Sequence, residues 1–180
     1  MAHFDYASRI ANIPDFPKPG IQFKDITPLL DDHVAYTAMI EEFAELFSET
    51  GATKVLGAEA RGFLIGAPLA LKMGLGFVPA RKPGKLPREV LSQEFDLEYD
   101  TAELQIHADA LQPGDRVLII DDLIATGGTV GAQIQLVRQA GAEVVGLGFL
   151  IELAYLQPRK TIAKFTGAPI HSLVIIESEE

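Results

Sequence analysis

Val117 to Thr129 read V-L-I-I-D-D-L-I-A-T-G-G-T, and this stretch is the most informative part of the sequence. Its first four residues are apolar at consecutive positions, which is typical of a strand covered on both faces in a parallel sheet. Asp121 and Asp122 follow at the predicted carboxyl end of this strand, where open α/β sheets hold their ligands. The stretch therefore predicts a buried strand that brings two carboxylates to a ligand crevice.

The residues after the two aspartates predict a loop that leads into a helix. Val130, Ile134 and Val137 follow helical spacing, so the helix begins close to Thr129. Glycines allow the backbone to approach a ligand, and the free N–H groups at a helix start favour an anion. The same residue types also serve as ordinary turn and capping residues. We interpret the loop as a candidate cradle for a sugar 5′-phosphate, formed by Ala125, Thr126, Gly127, Gly128 and Thr129.

Two other phosphate motifs do not fit the sequence. No lysine follows the glycines, as it would in a P-loop, and the Gly-x-Gly stretches at 74–76 and 146–148 lack the third glycine of a dinucleotide fingerprint. Nucleoside triphosphates and NAD are therefore disfavoured as ligands.

Composition narrows the class of protein. A chain of 180 residues with 48% hydrophobic residues is typical of one domain with a substantial core. The net charge of −10 argues against a nucleic-acid surface, and the absence of cysteine excludes disulfides and thiolate metal sites. Apolar stretches such as Gly62 to Leu71 are too short for a membrane span, and the first residues show no signal pattern. We expect a cytoplasmic protein.

The remaining pattern alternates strands with helices. The first thirty residues are predicted to be irregular, because five prolines or glycines interrupt any helix, although recurring apolar residues indicate an ordered segment. Strands are predicted at 54–57, 75–81, 117–120, 142–152 and 172–176, and helices at 32–48, 63–73 and 156–165, with Asp31 or Asp32 as a cap. This order predicts a parallel sheet of about five strands with crossover helices. Residues 82–103 form a long insertion whose alternating acidic and apolar residues suggest a β-arm.

Two further segments are candidate anion sites. Ala58 to Gly62 lie between a predicted strand and a predicted helix, and Arg61 could donate two hydrogen bonds to a phosphate or form a surface ion pair. Arg81, Lys82, Lys85 and Arg88 fall within eight positions of a loop rich in proline and glycine, which is either a local anion site or a solvated basic loop. The loops at 58–62 and 125–129 each follow a predicted strand, and two such anion loops suit a sugar that carries phosphates at both ends.

The stretch from Val117 to Thr129 resembles the phosphoribosyl pyrophosphate (PRPP) signature of type I phosphoribosyltransferases. Residues 13–30, 59–63, 81–87, 97–99 and 121–129 are similar, in order and spacing, to the members of that family that act on adenine. The similarity extends to about residue 152. It implies an α/β fold with a single domain over 1–180, a hood segment over 1–32 that covers the base, and a mobile catalytic loop over 82–103.

The resemblance also implies a role for each matching residue. The 5′-phosphate would bind to residues 125–129, and the ribose hydroxyls to Asp121 and Asp122. The pyrophosphate-binding residues would be Glu59, Ala60, Arg61, Arg81 and Lys85, and the adenine-binding residues Gln22, Phe23 and Lys24, the last of which is arginine in some relatives. Glu98 would be the general acid or base for the N9 proton of adenine.

The members of this family that act on adenine are pentosyltransferases. They transfer ribose 5-phosphate from PRPP to adenine, giving AMP and pyrophosphate in purine salvage. The resemblance further implies Mg²⁺ held mainly through PRPP, without direct protein ligands, and a homodimer. Two alternatives stay open: a phosphoribosyltransferase for another purine, and a non-catalytic PRPP-binding regulator. The regulator is disfavoured because this short acidic chain offers neither a DNA-binding appendage nor a basic face.

Overall fold

The computed structural model describes residues 4–96 and 101–178. Strands and helices follow one another along the chain, with two short 3₁₀ turns at Ala7–Arg9 and Ala154–Leu156. The strands are β1 (Ala11–Pro14), β2 (Gln22–Asp25), β3 (Lys54–Ala58), β4 (Gly76–Ala80), β5 (Val90–Asp96), β6 (Thr101–His107), β7 (Arg116–Ile124), β8 (Glu143–Leu153) and β9 (Ile170–Ile176). The helices are α1 (Thr27–Asp31), α2 (His33–Leu46), α3 (Arg61–Met73), α4 (Gly128–Gln139) and α5 (Pro158–Ile162).

The centre of the protein is a five-stranded parallel sheet with the strand order β4-β3-β7-β8-β9. The chain leaves β3 for β4 on one side and later returns to β7 on the other side of β3. Such a reversal opens a crevice at the carboxyl ends of the two strands that flank it. The predicted sheet of about five parallel strands is confirmed, and its ligand crevice lies between β3 and β7.

Both faces of this sheet are buried, which explains the continuous apolar run at the start of β7. Val117 and Ile119 pack in one cluster with α4 and the β5–β6 hairpin, while Leu118 and Ile120 pack in a second cluster with α2 and α3. All four side chains are fully buried. Alternate residues of one strand therefore serve two separate cores.

The helices begin where local chemistry favours a helix start. The Asp32 carboxylate accepts hydrogen bonds from the N–H groups of Val34 and Ala35, so Asp32 caps α2 as the sequence predicts. Helix α3 begins at Arg61, two residues before the predicted start, which draws Arg61 out of the predicted loop and into the first helical turn. None of the described helices is long and apolar enough to cross a membrane.

The amino-terminal segment is more regular than the sequence predicts. Strands β1 and β2 pair antiparallel, with Ile13 opposite Phe23, and the Asp15 carboxylate accepts a hydrogen bond from the Gly20 N–H at 2.7 Å across their connection. Tyr6 is buried and donates a hydrogen bond to Glu42 of α2 at 2.7 Å. The expectation of an irregular segment was wrong, because proline permits short edge strands and is also tolerated in the first turn of a helix, where Pro28 lies in α1.

Two other boundaries differ from the prediction. Strand β7 continues to Ile124, so Asp121 and Asp122 lie within the strand rather than at its end. The predicted helix over 156–165 is instead a 3₁₀ turn followed by the five-residue helix α5, because Pro158 occupies the first helical position.

The predicted β-arm is present as the antiparallel pair β5–β6, which extends to His107. Residues 97–100 between the two strands, which include the predicted catalytic residue Glu98, lie outside the described residues.

Candidate active site

A cavity of about 270 Å³ lies at the carboxyl ends of β3 and β7. It is lined by two of the three segments that the sequence indicated as anion sites, 58–62 and 125–129. The predicted site residues in its lining are Glu59, Arg61, Asp121, Asp122, Ala125, Thr126, Gly127, Gly128 and Thr129, and it is completed by Ala58, Leu123, Ile124 and Val130. Two chain segments that are distant in sequence thus form one site.

The glycine loop leads directly into α4. Gly127 is the residue before the helix, and its backbone is left-handed with φ of 90°. Glycine adopts this conformation without the steric cost that a Cβ atom brings. Helix α4 has twelve residues, so its first N–H groups and its dipole favour an anion at this end.

The two aspartates differ in their surroundings. The Asp121 Oδ1 atom accepts a hydrogen bond from the Asp122 N–H at 2.9 Å. Burial raises the pKa of the Asp121 carboxyl well above its usual range, and the charge of Asp122 raises it further, while Arg61 opposes the shift. A Cβ atom at Gly62 would lie 2.9 Å from Asp121 Oδ1, so this glycine makes the room for the carboxylate.

Arg61 joins the aspartates to the amino-terminal hairpin. Its Nε atom lies 3.1 Å from Asp122 Oδ2, and the carboxylate of Asp122 is only 5% exposed. The guanidinium carbon of Arg61 also lies 5.1 Å from the centre of the Phe23 ring, within the range of a cation–π contact. Since the Arg61 side chain is 43% exposed, it retains a face toward the crevice.

Glu59 holds the start of the basic loop. Its carboxylate accepts a hydrogen bond from the Lys82 N–H at 2.6 Å and contacts Arg81 Nη2 at 3.4 Å. The Lys82 hydrogen bond is the main reason that the pKa of Glu59 is lowered, and the charges of Arg81 and Lys85 lower it further. Glu59 is therefore an ionised side chain that holds the start of the basic loop. The Glu59–Ala60 peptide bond is cis.

The basic loop and the β-arm enclose a second cavity, of about 660 Å³, beside the first. Lys82 and Pro83 line it from the loop, and Glu94 and Phe95 from the arm. The two cavities share Ala58, Glu59 and Thr129. Lys85 is exposed on this loop.

The predicted adenine-binding residues divide into two groups. The Phe23 ring contacts the guanidinium of Arg61, which lines the crevice. The same ring makes an edge-to-face contact with Phe16, with 5.2 Å between the ring centres. Lys24 instead donates a hydrogen bond to Asn12 Oδ1 at 2.9 Å within the hairpin, and Gln22 is exposed. The structure therefore joins Phe23 to Arg61, which contacts Asp122, while the Lys24 side chain is engaged within the hairpin.

One polar cluster beside the site was missed by the sequence reasoning. Glu152 is 2% exposed near the end of β8, and it pairs with Arg159 and Ser172. A single carboxylate in an otherwise apolar strand end was the available signal, because buried carboxylates are rare unless paired.

The phosphoribosyl transferase domain family matches residues 28–166. The chain belongs to this family. A phosphoribosyltransferase of Streptomyces coelicolor named adenine phosphoribosyltransferase is 54% identical over 170 residues, which cover 94% of this chain and 93% of the relative. The resemblance inferred from the sequence motifs is thus confirmed.

Solved phosphoribosyltransferases share the fold. The crystal structure of adenine phosphoribosyltransferase from Thermoanaerobacter pseudethanolicus has a TM-score of 0.91 and 50% identity, covering 96% of this chain and 98% of the other. The enzyme of Giardia lamblia complexed with 9-deazaadenine has a TM-score of 0.93 and 35% identity, with 99% of both chains covered. These likenesses confirm the predicted phosphoribosyltransferase fold.

Proposed function

We propose that this phosphoribosyltransferase transfers ribose 5-phosphate from PRPP to adenine, giving AMP and pyrophosphate in purine salvage. One observation carries the proposal: a single crevice joins the glycine loop, two carboxylates and Arg61, and Phe23 rests on that arginine. The names of close relatives and the 9-deazaadenine bound to the Giardia lamblia enzyme support adenine as the base.

The geometry supports a role for each end of the site. We assign the 5′-phosphate to the loop 125–129 at the start of α4, and the ribose hydroxyls to Asp121 and Asp122. The pyrophosphate faces Arg61, Ala60 and the basic loop, which Glu59 holds through Lys82 and Arg81. Adenine is assigned to the surface near Phe23, beside the hairpin residues Gln22 and Lys24.

In the proposed reaction, charge develops at two points and must be stabilised at each. The leaving pyrophosphate develops negative charge, which cations such as Arg61 and Lys85 stabilise. The ribose carbon develops positive charge, which nearby carboxylates stabilise in the same way. Arg61 and the Asp121–Asp122 pair, which line the same crevice, would therefore stabilise the opposite charges that develop as one bond breaks.

Mg²⁺ is the proposed cofactor, bound mainly through PRPP. The described residues contain no group of three or more His, Cys, Asp or Glu side chains placed to hold a metal ion. The ligands proposed for the ion are therefore substrate and water oxygens, and the two carboxylates of the crevice add negative charge nearby without direct contact to the ion. When bound, the metal would offset the charge of the departing pyrophosphate.

A homodimer and a cytoplasmic location remain predictions. Helix α3 carries Leu64 and Leu71 with exposed side chains, of which Leu71 is 83% exposed, and such residues are available for self-association. Light scattering on the purified protein measures the mass directly, and the mass of one chain at micromolar concentration would contradict the dimer.

A base-competition assay tests the proposed reaction. Purified protein is incubated with PRPP, Mg²⁺ and equal amounts of adenine, hypoxanthine and guanine, and the nucleotide products are separated. We expect AMP to dominate and pyrophosphate to appear in equal amount. Product formed only from hypoxanthine or guanine would contradict the choice of base, and PRPP binding without any turnover would favour the regulator.

Glu98 remains the predicted general acid or base. One observation on a described residue supports the prediction: a Cβ atom at Gly128 would lie 3.5 Å from the carbonyl oxygen of Asp96, the last described residue of β5. We expect Glu98→Gln to lower kcat about a hundredfold, within the usual range for a proton-transfer group, with little change in PRPP affinity. Stopped-flow turnover and calorimetric PRPP binding measure the two effects, and an unchanged kcat would remove Glu98 from the mechanism.

A further inference from the structure

A buried carboxylate lies one strand away from the glycine loop. Glu152 is 2% exposed, and in the sheet it pairs in register with Ile124, the last residue before the loop. Its charge is therefore buried beside the position proposed for a phosphate. A negative charge in this place would repel that phosphate unless a cation neutralises it.

Arg159 and Ser172 satisfy this carboxylate completely. Arg159 donates from Nε to Glu152 Oε1 and from Nη2 to Oε2, both at 2.8 Å, and Ser172 Oγ donates to Oε2 at 2.6 Å. Two parallel hydrogen bonds from one guanidinium fix direction as well as charge. The Arg159 hydrogen bonds also lower the pKa of Glu152. We refer to Glu152, Arg159 and Ser172 as the C-terminal clamp.

The clamp fixes the position of α5, which lies against the glycine loop. Arg159 belongs to α5, and a Cβ atom at Gly127 would lie 3.2 Å from Thr161 Cβ and 3.4 Å from the Pro158 carbonyl oxygen of the same helix. Ile162 packs in the core cluster that contains Ile124 and Val130, at the two ends of the loop. Helix α5 thus packs directly against the glycine loop.

We propose that the C-terminal clamp is a positioning unit for the phosphate loop: it holds α5 behind Gly127 and neutralises Glu152 so that a dianionic phosphate can bind. The inference rests on the proposed function, in which this loop takes the 5′-phosphate of PRPP. The clamp residues do not line the crevice, so their effect passes through α5 and through the local charge. It assigns a role to the carboxyl-terminal region, where the sequence resemblance becomes loose.

The test is the Arg159→Gln variant in the complete enzyme. We expect the KM for PRPP to rise by about tenfold or more, as a small misplacement of binding groups produces, while kcat and the KM for adenine change by less than about threefold. The double variant Glu152→Gln with Arg159→Gln removes the buried charge, so its KM for PRPP should fall back toward the wild-type value. A purely structural role predicts a higher KM for PRPP in the double variant than in Arg159→Gln, since the double variant loses more contacts.

Two further variants keep the test decisive. Ser172→Ala removes one hydrogen bond but leaves Glu152 paired with Arg159. We expect it to raise the KM for PRPP less than Arg159→Gln does, and it replaces Arg159→Gln as the test if that variant does not fold. Glu143→Gln is the matched control, because Glu143 pairs with Arg116 at 3.0 Å at the opposite end of β8; its KM for PRPP should equal that of the wild type. An unchanged KM for PRPP in Arg159→Gln, or in Ser172→Ala where that variant alone folds, would overturn the proposal, as would equal rises for both substrates.

Calorimetry with ribose 5-phosphate separates this proposal from the proposed function. Wild-type protein that binds ribose 5-phosphate but does not turn over adenine contradicts the function alone. The clamp is then decided by the variant: weaker binding of ribose 5-phosphate by Arg159→Gln supports it, and equal binding overturns it.

Discussion

Gly127→Ala is expected to raise the KM for PRPP by about a hundredfold, the size of effect that a displaced binding group produces. The new Cβ atom would meet Thr161 Cβ at 3.2 Å, and the residue has φ of 90°. To relieve both conflicts, the loop must turn its N–H groups away from the proposed 5′-phosphate position. The left-handed backbone should also cost about 1–2 kcal/mol of stability. Steady-state kinetics and denaturant unfolding measure the two effects.

Gly114→Ala is the matched control for this variant. Gly114, in the turn before β7, has φ of 92°, but apart from its chain neighbours no described residue lies within 4 Å of its Cβ position. We expect a similar loss of stability with an unchanged KM for PRPP. If the two variants have the same KM, the loop contact with α5 does not matter for PRPP binding, and the assignment of the 5′-phosphate to this loop is wrong.

Arg61→Ala has the second large expected effect, on both substrates. It removes a cation from the proposed pyrophosphate site and leaves the Asp122 carboxylate without its counter-charge. Loss of a charged hydrogen bond costs about 2 kcal/mol, or about thirtyfold in the KM for PRPP. The KM for adenine should rise less, because only the contact with Phe23 is lost. Initial rates with each substrate varied in turn measure both constants.

Arg61→Lys separates charge from shape. Lysine keeps the positive charge but lacks the flat guanidinium that rests on the Phe23 ring. We expect a smaller rise in the KM for PRPP than in Arg61→Ala, with a similar rise for adenine. Lys72→Ala is the control, since Lys72 pairs with Glu41 at 3.0 Å on the surface. An unaltered PRPP affinity in Arg61→Ala would contradict the pyrophosphate role.

The sequence reasoning was accurate where local chemistry is decisive. The apolar run from Val117 to Ile120 predicts a strand buried on both faces, and both faces are indeed buried. Asp32 caps its helix as predicted, since capping involves only neighbouring residues. The order of carboxylates, glycine loop and helix start likewise indicated the phosphoribosyltransferase family before any contact was known.

Errors occurred where distant pairing overrides local preference. Aspartate is unfavourable in strands, so the sequence places the end of β7 before Asp121. In the structure β8 pairs along β7 as far as Ile124, and those hydrogen bonds extend the strand through both aspartates. The β1–β2 hairpin was missed for a related reason, because Pro14 marks a break in helical pattern but gives no sign of its partner Gln22.

Periodicity, glycine and charge within short segments were enough to predict the fold class and the residues of the two loops at 58–62 and 125–129, and the resemblance of these motifs to known ones identified the family. The partners of those residues became known from the tertiary structure alone. Arg61 contacts both Phe23 and Asp122, and Glu152 contacts both Arg159 and Ser172. These residues come from separate segments, and the parallel sheet brings the ends of β3, β7 and β8, with the helices that follow them, to one edge. Burial then makes pairing obligatory, since an isolated carboxylate inside the protein costs far more than one that is hydrogen-bonded.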